Sequence, residues 1–248
     1  WARHGTSIVP RLRGMYAAAM FDTATGDGYL LRDPFGIKPL YYHETERGVF
    51  FASEPAALYS EGGDRDMPGQ LHAACIIDRQ FAPDRIPAFA GIKRVPPGTL
   101  LQIRDGRVIA GETDNPLAAI TSPSQPDDFK SQIHDSVAAH LMSDVPLGLF
   151  FSGGVDSSAI LASMAALRDT SGAPSSGGNG ERTNAEIVTY TVRFDCGHDN
   201  ETTAAKALAS AAGASFVDVP YSRADFWRDA GKAVLACDDA AADYAILP

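Results

Sequence analysis

The stretch that decides the fold is Val145-Pro146-Leu147-Gly148-Leu149-Phe150-Phe151-Ser152-Gly153-Gly154-Val155-Asp156-Ser157-Ser158. Its apolar half, Leu147 to Phe151, reads as a buried strand. Its polar half reads as a glycine turn opening a helix that continues to Leu167. Two adjacent glycines let backbone N–H groups converge on one point with no Cβ in the way. The helix N-terminus adds the positive end of a dipole. Serine hydroxyls supply further donors, and Asp156 supplies a hard oxygen of the kind that magnesium takes. The turn is shorter than the GxxxxGK[ST] phosphate loop and has no lysine. A plainer reading of the same residues is a helix start capped by Ser and Asp, with glycines for the bend.

Outward from this turn, the second half of the chain alternates strands and helices. A helix over 128–141 places Phe129, Ile133, Val137 and Leu141 on one face. After the Leu147–Phe151 strand and its helix come a strand at Ile187–Val192, a helix at Thr203–Ala212, a strand at Ser215–Val219 and a helix at Arg223–Leu235. Such alternation predicts a parallel sheet with helices on both faces, whose ligands bind outside the carboxyl ends of the strands. Ser171 to Gly180, rich in Gly, Ser and Pro, reads as a surface insertion.

The first half reads differently. Met15–Phe21, Tyr29–Arg32, Pro39–His43 and Val49–Ala52 are short β-type runs separated by Asp, Gly and Pro turns, with Ser53 placed to cap a short helix through Leu58. Repeated hairpins predict an antiparallel sheet or sandwich layer. The division is therefore 1–109 for the first domain, 110–127 for a Pro-, Ser-, Thr- and Asp-rich linker, and 128–248 for the second.

Bulk properties narrow the function. The 248 residues are 45% hydrophobic and 21% charged, a globular composition. A formal net charge of −10 argues against nucleic-acid or membrane-surface partners. No apolar run approaches the roughly 18 residues of a membrane span, and no signal-peptide pattern opens the chain. Cys75, Cys196 and Cys237 are odd in number and far apart, which suits free thiols in the cytoplasm. His134 and His140, six apart on one helix, point in different directions and are not a metal pair.

The SGGVDS run resembles the PP-loop of the N-type ATP pyrophosphatases, which cleave ATP between the α- and β-phosphates. Arg32-Asp33-Pro34-Phe35-Gly36-Ile37-Lys38-Pro39-Leu40-Tyr41-Tyr42, with Gly14-Met15-Tyr16-Ala17 before it and Phe51-Ala52-Ser53-Glu54 after it, resembles the class II glutamine amidotransferase domain, an N-terminal-nucleophile αββα fold. Read on their own, Arg32 and Asp33 pair and brace a turn. Gly91-Ile92-Lys93-Arg94-Val95-Pro96-Pro97-Gly98-Thr99 resembles a boundary segment of that domain, a corner rather than a site.

The combination resembles the glutamine-hydrolysing asparagine synthetase family over essentially the whole chain. The resemblance implies a partial amidotransferase domain followed by a partial parallel-sheet PP-loop domain, and an AMP-forming amide ligase. In that family ammonia from glutamine displaces AMP from β-aspartyl-AMP, made from aspartate and ATP with loss of pyrophosphate. It implies ATP and magnesium as cofactors and aspartate, glutamine and ATP as small-molecule partners; it leaves a homodimer open. Ser152, Gly153, Gly154, Asp156 and Ser157 would hold pyrophosphate, with Asp156 also on magnesium. Phe150 and Val192 match the positions whose backbone faces the adenosine. Asp238, Asp239 and Asp243 match an acidic D-E-P-x-x-D segment near metal or substrate, and Asp156 with Asp239 would be catalytic. The acidic residues read equally as a solvated helix end, and Glu201 as a pocket residue or a helix-dipole partner.

There are departures. Ala240 stands where the family usually has Pro, and Tyr244 replaces another Pro. The family's N-terminal cysteine and glutamine-binding residues fall before Trp1, and its SGDGGDE-type segment and downstream lysine fall past Pro248. The chain is thus expected to be a fragment with part of each active site, inactive alone. Two other readings remain: a paralogous AMP-forming cyclase of the β-lactam synthetase or lasso-peptide type, and a nucleotide-binding module without catalysis.

Overall fold

A computed structural model describes residues 1–62, 89–113, 129–143, 145–171, 186–195 and 201–236. The described residues form two compact units. One is made of residues 1–113 and the last turn of the final helix; the other is made of residues 129–231.

The first unit is built from two antiparallel sheets. Strands β1 (Ala17–Phe21), β2 (Gly28–Arg32), β6 (Thr99–Arg104) and β7 (Arg107–Thr113) make a sheet of order β1-β2-β6-β7. Strands β3 (Tyr41–Thr45), β4 (Gly48–Ala52) and β5 (Ile92–Arg94) make a second, of order β4-β3-β5. Leu30, Leu40, Val95 and Leu101 form a buried cluster to which Tyr42, Val49, Ile103 and Val108 add, so residues of both sheets meet in one core. The other face of the second sheet carries Tyr41 and Ile92, which pack with Leu58 of a 3₁₀ helix, Pro55–Glu61. The alternation along β3, buried at Tyr41 and His43, is the two-residue period of a strand between layers.

The predicted hairpins stand, each strand shifted by one or two residues. Three corrections follow. The Gly91–Thr99 segment is more than a corner: it contains β5 and the first residue of β6. Strand β7 runs to Thr113, into the stretch read as a linker, and residues 114–128 lie outside the described ones. Ser53 makes no cap; the short helix follows Glu54 with Pro55 in its first turn.

The second unit has a parallel sheet of order β10-β9-β8, with β8 at Gly148–Phe150, β9 at Val188–Phe194 and β10 at Ser215–Tyr221. Its helices are α1 (Phe129–His140), α2 (Val155–Ser171), α3 (Glu201–Ala211) and, up to Gly231, α4 (Arg223–Ala236). Phe151, Leu161, Met164, Ile187, Ala205 and Ala209 form the core, with Val137, Leu141, Leu149 and Phe216 packed on it. All the strand residues in that cluster lie on one face of the sheet. The opposite face presents Phe150, Tyr190, Phe194, Val217 and Val219 to solvent, Phe150 at 84% exposure.

Two expectations therefore need correction among the described residues. The burial is one-sided rather than two-sided, and β8 is an edge strand, not a buried one. A continuous apolar run does not distinguish these cases, because its two faces look alike in sequence. Phe129, predicted to be on the buried face of α1, is exposed, and only Val137 and Leu141 of that set join the core. Strand β10 also extends past its predicted end through Pro220. An edge position tolerates that residue, since it needs only one set of ladder bonds. No helix among the described residues is long and apolar enough to cross a membrane.

Candidate active site

The glycine turn leaves β8 at its carboxyl end and passes directly into α2, which starts at Val155 rather than at Ser158. Asp156 thus sits in the first helical turn, where a carboxylate is favoured by the helix dipole. The first closed helical bond runs from Ser158 N–H to Gly154 C=O at 2.9 Å. By helix geometry, the N–H groups just before it have no intrahelical carbonyl and point outward from the helix end.

Gly153 has φ +77°, a left-handed conformation that costs other residues energy. A Cβ there would also meet the Cα and Cβ of Ala205 in α3 at 3.2 Å. Both effects require glycine. Around the turn, Ser152 Oγ lies 3.2 Å from Ser157 Oγ, accepts a long bond of 3.3 Å from Gly154 N–H, and Ser157 Oγ donates to Gly154 C=O at 3.3 Å. These are weak contacts among exposed groups, which a ligand with better acceptors can replace. Ser158 Oγ is buried with no hydrogen-bond partner among the described residues.

The neighbouring strand holds the turn in place. Phe151 N–H donates to Tyr190 C=O at 2.8 Å, and the buried Thr191 hydroxyl donates to Phe151 C=O. Thr189 acts in the same way on the other side, donating to Ser215 C=O at 2.9 Å. Two threonines on the core face of β9 therefore tie it to both neighbours. The sequence reading missed them. The available signal was a hydroxyl at alternate positions of an otherwise apolar strand, since a buried hydroxyl needs a partner.

Of the residues predicted for the site, Ser152, Gly153, Gly154, Asp156 and Ser157 stand together on the turn and first helical turn. Phe150 and Val192 lie on adjacent strands, on the sheet face away from the core. Asp238, Asp239 and Asp243 lie outside the described residues, as do the three cysteines, Ala240 and Tyr244. Among the described residues, no three His, Cys, Asp or Glu side chains gather where they could hold a metal. Asp156 is one of the residues lining an otherwise largely apolar groove of about 590 Å³ between α1, α2 and β8, with Ile133, Val137, Leu147, Ile160 and Met164.

At the carboxyl ends of β9 and β10, a second polar cluster fixes the start of α4. Ser222 Oγ and N–H both donate to the Asp225 carboxylate, at 2.6 and 2.9 Å, and Asp225 N–H returns a bond to Ser222 Oγ at 3.1 Å. This is a capping box with aspartate as the acid. The Ser222 bonds and Arg228 hold the Asp225 carboxyl down to about 2.

In the first unit, the Arg32–Tyr42 run is organised around two side chains. The Arg32 guanidinium donates to the carbonyls of Lys38, Gly36 and Val95, at 2.9, 2.8 and 2.7 Å. The fully buried Asp33 carboxylate accepts from the N–H groups of Phe35, Ile37 and Lys38, at 3.1, 3.0 and 2.9 Å. Burial pushes the Asp33 carboxyl up, but these donors and that of Tyr16 outweigh it, so the net shift is down. Both residues brace the turn by binding its backbone, the role expected when the residues are read on their own.

Two antiparallel sheets joined in one chain to a parallel sheet with a glycine turn define a mixed α/β protein of two domain types. Residues 1–113 match the glutamine amidotransferase domain family and residues 128–248 the asparagine synthase family. Over nearly its whole length the chain is similar to asparagine synthetases. It is 30% identical, over 98% of its length, to a putative glutamine-hydrolyzing asparagine synthetase of Mycobacterium tuberculosis, of which it covers 37%. It is 32% identical, over 96% of its length, to glutamine-hydrolyzing asparagine synthetase 1 of Bacillus subtilis, of which it covers 36%. With asparagine synthetase B of Escherichia coli it shares 32% identity over 64% of its length and 24% of that protein. The chain thus spans little more than a third of the length of the first two relatives.

Proposed function

We propose that this chain carries part of an ATP-dependent, amide-forming ligase that makes asparagine from aspartate, ATP and ammonia derived from glutamine. A carboxylate oxygen of aspartate attacks the α-phosphorus, and pyrophosphate leaves with the P–O bond electrons. Ammonia then attacks the acyl carbon of β-aspartyl-AMP, AMP leaves, and a proton is released. In this reading the partial N-terminal-nucleophile domain ends near Thr113 and the PP-loop domain begins near Asp128.

The observation that carries the proposal is the turn itself. Gly153 in a left-handed conformation, weakly engaged serine hydroxyls and outward N–H groups converge at the carboxyl end of a parallel strand. That arrangement suits the charge that develops on a departing pyrophosphate. Asp156 is the described residue whose chemistry suits magnesium, and the metal would supply further charge neutralisation when bound. Asp238, Asp239 and Asp243 are proposed to complete the acidic side of the site, and Phe150 and Val192 to face the adenosine through their backbone.

The test is exchange of labelled pyrophosphate into ATP by the full-length protein. Exchange that depends on aspartate and is abolished by Asp156→Ala is the expected result. No exchange with any amino-acid carboxylate would overturn the proposal.

A further inference from the structure

Strand β9 outruns β8. The register pairs Phe150 with Tyr190, β8 ends there, and β9 continues through Val192, Arg193 and Phe194. Side chains alternate across a strand, so Arg193 shares a face with Thr189 and Thr191. Thr191 is tied to the carbonyl of Phe151, the residue before Ser152. Arg193 is one two-residue step further toward the carboxyl end, roughly 7 Å along the strand. On the same face, Ala205 of α3 meets Gly153. The overhang of β9 therefore places Arg193 on the strand next to the glycine turn and past the end of β8, and the chain has no Lys or Arg from Phe150 to Leu167.

Arg193 is held by an acid on its far side. Its Nε donates to both carboxylate oxygens of Asp218, at 3.2 and 2.9 Å. Asp218 lies on β10, and the order β10-β9-β8 puts it across β9 from the turn. The two side chains are 38% and 39% exposed, and ion pairs in that setting are weak. A guanidinium on phosphate oxygens can make bidentate, charge-assisted bonds.

We propose that Arg193 is a pyrophosphate-contacting residue kept in reserve by Asp218. When the glycine turn takes up a polyphosphate, the guanidinium leaves the carboxylate for the phosphate oxygens and supplies the cation that the turn lacks. This rests on the nucleotide reading of that turn, and it assigns opposite effects to the two partners.

The test is calorimetric titration of the full chain with magnesium pyrophosphate, comparing the unaltered protein with Arg193→Gln and Asp218→Asn. Loss of Arg193 is expected to weaken binding about tenfold, the scale of one charge-assisted hydrogen bond. Removing the competing charge in Asp218→Asn is expected to tighten it. Equal affinity for Arg193→Gln and the unaltered chain overturns the inference while leaving the nucleotide reading intact. Weakening by Asp218→Asn also overturns it, since the pair would then be a brace. No binding by the unaltered chain overturns both. Thermal unfolding of each variant checks folding, and if Arg193→Gln does not fold, the sign of the Asp218→Asn effect decides.

Discussion

Thr191 donates its buried hydroxyl to the carbonyl of Phe151, the residue from which the glycine turn departs. A side chain of one strand thus fixes the height at which the neighbouring strand ends. Thr191→Val keeps the shape and removes the donor, leaving a buried carbonyl one partner short. A cost of about 1–3 kcal/mol is expected for such a group. Urea denaturation followed by a probe in the second unit will measure it. Thr191→Ser should recover most of the loss; if it does not, the methyl group rather than the hydroxyl is what matters.

Gly153→Ala combines two penalties. The left-handed φ of +77° costs an alanine about 1–2 kcal/mol, and the new Cβ would press on the backbone of Ala205 at 3.2 Å. Pyrophosphate affinity should fall together with stability, because the turn and α3 must separate to admit the methyl group. Gly154→Ala is the comparison: among the described residues its Cβ meets only Ser152 Oγ, at 3.3 Å. A Gly153→Ala protein as stable as the unaltered chain would show that α3 is free to shift.

Acid should weaken the first unit through Asp27. Arg104 reaches it with two charge-assisted bonds, at 2.7 and 2.6 Å, and Gln102 adds one at 2.8 Å. Arg104 first, opposed by burial and helped by Gln102, holds the carboxyl down at about 2 from an ordinary 3.8. The folded state therefore binds this proton more weakly than the unfolded state does. The stabilisation is fully present above pH 3.8 and is lost as pH falls through about 2. The expected result is a gap in melting temperature between the unaltered chain and Asp27→Asn that is widest above pH 4 and closes toward pH 2. A gap independent of pH would assign the effect to packing. Asp225, held equally low, titrates in the same window in the other unit, so the two variants should be compared separately.

Much of this was legible in the chain. The hairpins of the first unit announce themselves because Asp, Gly and Pro at the turns have few other conformational uses. The strand–helix alternation and the glycine turn were equally readable, since φ near +77° at Gly153 needs the residue that is there. The brace formed by Arg32 and Asp33 follows from a charged pair beside a Pro/Gly bend. Strands β6 and β7 were not recognised. Where a strand forms and stops depends on what pairs with it.

Residue types and their spacing by themselves determined that a glycine turn joins a parallel strand to a helix, that antiparallel hairpins precede it, and which family the chain resembles. These properties are local: each rests on dihedral preference, periodicity or a short motif. Only the tertiary structure decided which face of β9 is buried, that Thr191 rather than a turn residue holds Phe151, and that Asp218 pairs with Arg193. Those relationships join residues 25 to 40 positions apart, and no local preference encodes a distance across a sheet.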